Sequence, residues 1–349
     1  MVSTRSTWLS LAVGAREGHL ILEESTRFSL LARPGSAFRD PATQKPSLIT
    51  IVGGPNKHRL IENLTSTRLL RDRGNGAKTI DPSSVVNLHL ISTTKLDSHP
   101  VLLADCSLTP QPRSSFETSP RRLPKRWDMT WNCYPFEAAN GIIRNIITPF
   151  SEILILLKSD LGGYDGVLRY LKDWTRPADV LDNSPPMVIV FEENKDLPPH
   201  YDLISTQLLT EALQATVATP PSVRVLSVNL TTTSVLEFIH PILEQQRAQR
   251  AKTYTQFSVE HLSEFVSAIC KDFASGHGST SFDLIAITRR REPVSESISG
   301  HISGLLQQCK PYYHWSKCIP HIASAMVFDS LPPRMHGEVC SDILAAFAC

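Results

Sequence analysis

"SLITIVGGPNKHRLIENL", residues 47–64, decides how this chain is read. Residues 47–52 form an apolar, β-branched run with the length of one buried strand. Gly53 and Gly54 end it, and from Lys57 the apolar residues Leu60, Ile61 and Leu64 recur at the spacing of one helix face. A buried strand, a glycine turn and an amphipathic helix in immediate succession make the unit on which many α/β proteins seat phosphate groups.

A complete phosphate loop reads G-x-x-x-x-G-K-[ST]: backbone N–H groups make a nest for the phosphates, the lysine neutralises their outer oxygens, and the hydroxyl holds magnesium. Read without a gap from Gly53, the second glycine falls on His58, the lysine on Arg59 and the hydroxyl on Leu60, so every diagnostic residue is lost. A register two residues shorter runs Gly53, Gly54, Pro55, Asn56, Lys57, His58. It puts Lys57 at the lysine position and keeps Leu60, Ile61 and Leu64 on the face that packs against a sheet. Asn56 then stands for the second glycine, and asparagine is the non-glycine residue that best enters left-handed backbone. His58 stands for the hydroxyl, although magnesium is a hard ion that takes oxygen ligands. Pro55 has no N–H to offer. GTP or ATP with magnesium is the ligand of such a loop, and the shortened nest predicts weak binding or none.

Two further elements would complete a nucleotide site. The apolar run 100–105 ends in Asp105, where a strand-end carboxylate can position magnesium. The D-x-x-G that senses a terminal phosphate in GTP-binding proteins is not completed, because Asp105 is followed by Cys106, Ser107 and Leu108. Guanine selection by N-K-x-D has its residue types in Asn194, Lys195 and Asp196, without the spacer.

Around this unit, strand-like runs at 85–91, 152–157, 187–191 and 223–228 alternate with helix-like stretches at 164–174, 201–216 and 234–251, the last containing Pro241. Such alternation predicts a doubly wound, mainly parallel α/β sheet covered on both faces. Run 85–91 alternates like a half-exposed strand. Residues 1–44 show no clear period and end in a proline-rich linker, residues 109–127 read as a mobile insert, and 233–349 as a mostly helical extension packed on the 45–232 domain.

The 349 residues carry 35 basic and 34 acidic side chains, a net charge of +1, so no global field draws the chain to nucleic acid. Seven scattered cysteines suit a reducing compartment rather than a disulfide scaffold, and the longest apolar run is far short of a bilayer span. A short apolar stretch at 8–14 imitates a signal peptide, but acidic residues follow at once. A cytoplasmic protein with no membrane span is expected. Cys309, His314, Cys318, His321 and Cys340 have zinc-ligand chemistry without a close C-x2-C pair, and His336 lies in a turn-like stretch. The basic clusters at 120–126 and 288–292 read as solvated loops or anion contacts.

The blocks "KPSLITIVGG", "VVNLHLI" with "SHPVLLADCSL", "FSEILILLKSDLGGYDGVLRYLKDW", "FDLIAITRRREPVSESISGHISGLL" and "HIASAMVFDSLPPRMHGEVC" together resemble a P-loop GTPase-like module of filamentous-fungal proteins, often placed ahead of patatin-type phospholipase or other effector domains. The resemblance runs from about residue 45 to the end and implies a P-loop NTPase-like fold, with Gly53, Lys57 and Asp105 at matching nucleotide-site positions. No G-x-S-x-G elbow occurs, so a lipase activity is not encoded here. The expected function is a degenerate module that binds a partner protein or effector domain. The alternatives are a slow GTP- or ATP-hydrolysing enzyme, with Lys57 on the phosphates and Asp105 on magnesium, and a zinc-containing structural module.

Overall fold

The computed structural model describes residues 6–14, 19–31, 38–65, 81–91, 94, 98–114, 125–174, 187–193, 199–216, 220–229, 234–252, 255–276, 297–309, 311, 314, 316–320 and 322–323. Its strands are β1 (Thr7–Val13), β2 (Leu20–Glu24), β3 (Ser47–Val52), β4 (Ser84–Leu90), β5 (Val101–Cys106), β6 (Arg113–Ser114), β7 (Lys125–Asp128), β8 (Ser151–Leu157), β9 (Met187–Glu193), β10 (His200–Tyr201) and β11 (Val223–Val228). They join in one 11-stranded sheet, ordered β10-β11-β9-β8-β3-β5-β4-β1-β2-β7, with β6 pairing β1. The helices are α1 (Arg27–Leu31), α2 (Lys57–Thr65), α3 (Pro135–Ile142), α4 (Lys158–Leu161), α5 (Gly163–Trp174), α6 (Leu203–Gln214), α7 (Val235–Lys252), α8 (Val259–Ala274) and α9 (Ile298–Cys309). Two compact units divide the chain, Met1–Phe282 and Asp283–Cys349. The helical part expected from residue 233 therefore begins inside the first unit, with α7 and α8, while α9 lies in the second.

The sheet is mixed rather than mainly parallel. Strands β11, β9, β8, β3 and β5 run parallel. Beyond β5, the strands β4, β1, β2 and β7 pair antiparallel, as does β10 at the other edge. An antiparallel pair needs no helical crossover, so the β4–β5 and β1–β2 returns are too short to carry the strand–helix alternation from which a parallel sheet is read. Strand β4 is also more buried than its alternation suggests, because it lies inside the sheet between β5 and β1.

Residues 1–44, expected to be a poorly defined segment and linker, contribute two strands to this sheet. All five residues of β2 are buried, Glu23 and Glu24 included. Glu23 receives Arg113 from β6 and pairs with Arg126 of β7 at 2.7 Å. Glu24 accepts from Ser267 Oγ of α8 at 2.6 Å and lies 3.6 Å from Lys125 Nζ of β7. Two buried carboxylates, each matched by cations from another strand, disguise an interior strand as a polar one. The same contacts account for Lys125 and Arg126, the described end of the basic cluster; the rest of that cluster and the 288–292 cluster lie outside the described residues.

Packing follows the residue types. Leu60, Ile61 and Leu64 of α2, with Val235, Ile239, Ile242 and Leu243 of α7, cover Ile49 and Ile51 of β3, Leu103 of β5, Ile153 and Ile155 of β8 and Ile189 of β9. The intervening residues Leu48, Thr50, Leu102, Ala104, Leu154, Leu156, Val188 and Val190 point to the opposite face by strand alternation and are buried too. Both faces of the parallel half are therefore covered. α7 runs through Pro241, which sits on its exposed side. α3 widens into a π-turn over Ile143–Ile147 and tightens over Thr148–Phe150 before entering β8.

The centre of this arrangement is β3. Its parallel neighbours β5 and β8 lie on opposite sides of it, with Ile51 paired to Asp105 and to Ile155. Where strand order diverges in this way, open α/β sheets commonly bind ligands at the carboxyl ends of the strands, and the loop after β3 lies at that end.

Candidate functional site

Four strands bring polar side chains to that end of the sheet: β3 through its glycine loop, β5 through Asp105, β8 through α4, and β9 through Glu192 and Glu193. Lys57 opens α2 and turns inward. Its Nζ stands 2.7 Å from Asp105 Oδ1 and donates to the Cys106 carbonyl at 2.5 Å. The lysine is 5% exposed and the aspartate 3%. Asn87 Nδ2 approaches Asp105 Oδ2 at 3.5 Å, and His89 Nε2 stands 3.9 Å from the same oxygen, beyond a direct hydrogen bond. Burial pushes the Asp105 carboxyl up, but the His89 imidazole and the Lys57 ammonium outweigh it and hold it down to about 2. The neighbouring Cys106 thiol is pushed far up by burial and is inert.

The loop itself closes on a residue from another element. Gly54 N–H donates to Asp160 Oδ2 at 2.7 Å, and Asn56 Nδ2 donates to Asp160 Oδ1 at 2.6 Å. Asp160 belongs to α4, the single turn that follows β8. Gly53 is required by this approach: a Cβ there would lie 2.8 Å from Asp160 Oδ2 and 3.2 Å from Leu157 Cβ. Gly53→Ala should therefore push the carboxylate off Gly54 and lower stability by about 1–3 kcal/mol, read as a lower urea midpoint. Gly54→Ala meets only ordinary contacts and serves as its milder counterpart. His58 follows half-buried in the first turn of α2, its N–H bonded to the Pro55 carbonyl at 3.4 Å.

Around this centre the remaining charges pair with one another. Lys158 Nζ lies 2.8 Å from Glu192 Oε1 and 4.0 Å above the Tyr164 ring, and Tyr164 OH donates to Glu192 at 3.3 Å. Arg59 Nη1 reaches both oxygens of Glu193, at 2.9 and 3.3 Å, in an exposed pair that adds little stability. Among the described residues, Lys57, Lys158 and Arg59 thus each face a carboxylate from a neighbouring element.

Of the residues singled out by sequence, Gly53, Gly54, Asn56, Lys57, His58 and Asp105 come together here. Asn194 and Asp196 lie outside the described residues, immediately after β9. Asp160, Lys158, Glu192 and Glu193 are the participants that sequence reading passed over. The strand-end logic applied to Asp105 also identifies Asp160, since "KSD" follows a buried strand beside the loop. In the second unit, His314 Nδ1 shares a hydrogen bond with Ser316 Oγ at 2.7 Å. The Cys309 side chain, His321, His336 and Cys340 lie outside the described residues. Among the described residues, no three His, Cys, Asp or Glu side chains are grouped to hold a metal ion, and no helix is long and apolar enough to cross a membrane. The chain matches no protein-family model and no curated protein.

Proposed function

We propose that this chain is a degenerate P-loop GTPase-like module, of the kind it resembles in filamentous-fungal proteins, acting as a cytoplasmic binding or regulatory domain with weak or no nucleotide binding and without hydrolysis. The observation that carries the reading is the direction of Lys57. A strand, a glycine loop and a helix meet at the switch point of a sheet, which is the scaffold of a phosphate site. Its lysine is buried in a pair with Asp105, the residue that would position magnesium. Each cancels the other's charge, so neither is offered to a ligand.

The donor set does not fit a magnesium triphosphate as it stands. The Gly54 amide and the Asn56 side chain face the Asp160 carboxylate, Pro55 contributes no N–H, and His58 brings nitrogen where magnesium takes oxygen. A phosphate entering here would meet a carboxylate first. The retained scaffold favours a role through surface contacts with a protein partner or effector domain.

Titration of the full chain with labelled GTP and ATP, with and without magnesium, tests this. No saturable binding in the micromolar range and no thermal shift at millimolar nucleotide are expected, because a ligand that prefers the folded state must stabilise it. Magnesium-dependent micromolar binding, lost in Lys57→Ala without loss of folding, would replace this reading with that of a slow nucleotide hydrolase.

A further inference from the structure

Asp160 holds the loop in the manner of a ligand. Both of its oxygens are engaged by donors of the Gly53–Asn56 turn, and among the described residues no cation pairs with it. A carboxylate held by a backbone amide and a side-chain amide at the start of a helix occupies the position an external anion takes at such a turn. The closeness of the approach depends on the missing side chain of Gly53, whose Cβ would lie 2.8 Å from Asp160 Oδ2. Asn56 Nδ2 also reaches Ser159 Oγ, at 3.5 Å, so two consecutive residues of α4 meet the loop.

The element that presents Asp160 is short. α4 has four residues, a single turn, capped by Gly162 and followed by Gly163, the first residue of α5, with φ of +86° and +84°. A Cβ at either position would meet nothing within 4 Å, so the positive φ, and not a close approach, is what calls for glycine here. Their positive φ is accessible to glycine at little cost and unfavourable for other residues. Besides Asp160, α4 is held by the partly buried Lys158–Glu192 pair, by Lys158 over the Tyr164 ring, and by the close packing of the Leu161 carbonyl on Gly166 of α5, where a Cβ would overlap that oxygen.

We propose that Asp160 is an autoinhibitory latch: its carboxylate fills the donor set of the loop from within, and withdrawal of that side chain exposes those donors to an external anion of the phosphate class. The proposal rests on the reading of the loop as a former phosphate site. It adds that the site is covered as well as depleted, and it names the residue that covers it. Lys57 stays paired with Asp105 when the latch opens, so the anion bound would be held by amides alone and weakly.

The test compares the full-length wild type with Asp160→Ala and with Asp160→Asn, which keeps the side chain's shape. Hydrogen exchange of the peptide spanning residues 53–57 reads the latch, and calorimetric titration with inorganic pyrophosphate, then GTP, reads the anion site. Loop exchange about tenfold faster in Asp160→Ala, with pyrophosphate binding appearing in the variants at millimolar concentration and absent from the wild type, is the expected result. Unchanged exchange would overturn the latch. Faster exchange with no pyrophosphate binding would also overturn it, since the exposed donors would then form no anion cradle. Wild-type protein binding pyrophosphate as well as the variants do would sink the autoinhibition, whereas tight magnesium-GTP binding by the wild type would sink the degenerate-module reading; the two failures are told apart by ligand and metal dependence.

Discussion

Asp105→Ala is expected to lower the unfolding free energy by about 3–5 kcal/mol at neutral pH, the usual consequence of removing one member of a buried ion pair. Lys57 is 5% exposed and its Nζ lies 2.7 Å from the carboxylate. Without Asp105 its ammonium keeps only the Cys106 carbonyl and must lose its proton or drag the first turn of α2 toward water. Lys57→Met combined with Asp105→Leu should recover most of the loss, because an apolar pair of similar volume carries no desolvation penalty. Equilibrium urea unfolding of the three variants measures this. A loss below about 1 kcal/mol for Asp105→Ala would mean that Lys57 spends its time in water, where a phosphate could reach it.

The same pair sets an acid limit. The Asp105 carboxyl is held at about 2, against an ordinary 3.8. A carboxyl that ionises more easily folded than unfolded adds stability above its unfolded value, here about 2 kcal/mol at neutral pH. That increment shrinks as pH falls below about 4 and is gone near pH 2. The stability difference between wild type and Asp105→Ala should therefore narrow in that window.

Much of the fold is legible in the sequence because its strands are short apolar runs bounded by polar or glycine-rich turns. Predicted runs at 152–157, 187–191 and 223–228 fall on β8, β9 and β11, and the helix face Leu60, Ile61, Leu64 lies in the core as its spacing requires. Strands β1 and β2 were not legible. Glu23 and Glu24 count as surface residues in any period analysis, and their burial depends on Arg113, Lys125 and Arg126, about ninety to a hundred residues further on in sequence. The extent of the antiparallel half was hidden because its returns carry no helical crossover, and because the pairing of β2 with β7 is matched by these distant ion pairs.

At the candidate site, residue types were legible and their directions were not. Lysine after a glycine turn is a phosphate ligand when it points out of the loop and a structural cation when it points in. That choice is made by Asp105 on another strand, by Cys106 beside it, and by Asp160 filling the loop. Asp160 itself was missed because a carboxylate after a buried strand reads as ordinary solvation until β8 is known to lie beside β3.

Arg250→Met is the second large expected loss, also about 3–5 kcal/mol at neutral pH, by the same mechanism at the opposite end of the sheet. Arg250, from the last turns of α7, donates to the carbonyls of Pro149 at 3.0 Å and Ser151 at 2.8 Å, and its Nε lies 3.5 Å from Glu152 Oε1. Glu152 is 4% exposed and accepts from the Leu48 N–H at 2.5 Å. It thereby ties the amino ends of β8 and β3 together, and Arg247 of the same helix donates to Ser47 Oγ at 2.6 Å. Burial raises the Glu152 carboxyl above its ordinary 4.5, and Arg250 is the leading influence opposing that rise. Removing the guanidinium lets the carboxyl rise further. A carboxyl harder to ionise folded than unfolded weakens the fold above its unfolded value, and the deficit is relieved as pH falls toward that value and the group takes up its proton. Arg250→Met should therefore be most damaging near neutrality and recover on acidification toward pH about 5, a higher window than that of Asp105. Adding Glu152→Gln should restore much of the stability at neutral pH and flatten the pH dependence. Urea midpoints measured from neutral to mildly acid pH decide it, and a loss independent of pH would show that Arg250 acts through its carbonyl contacts and packing alone.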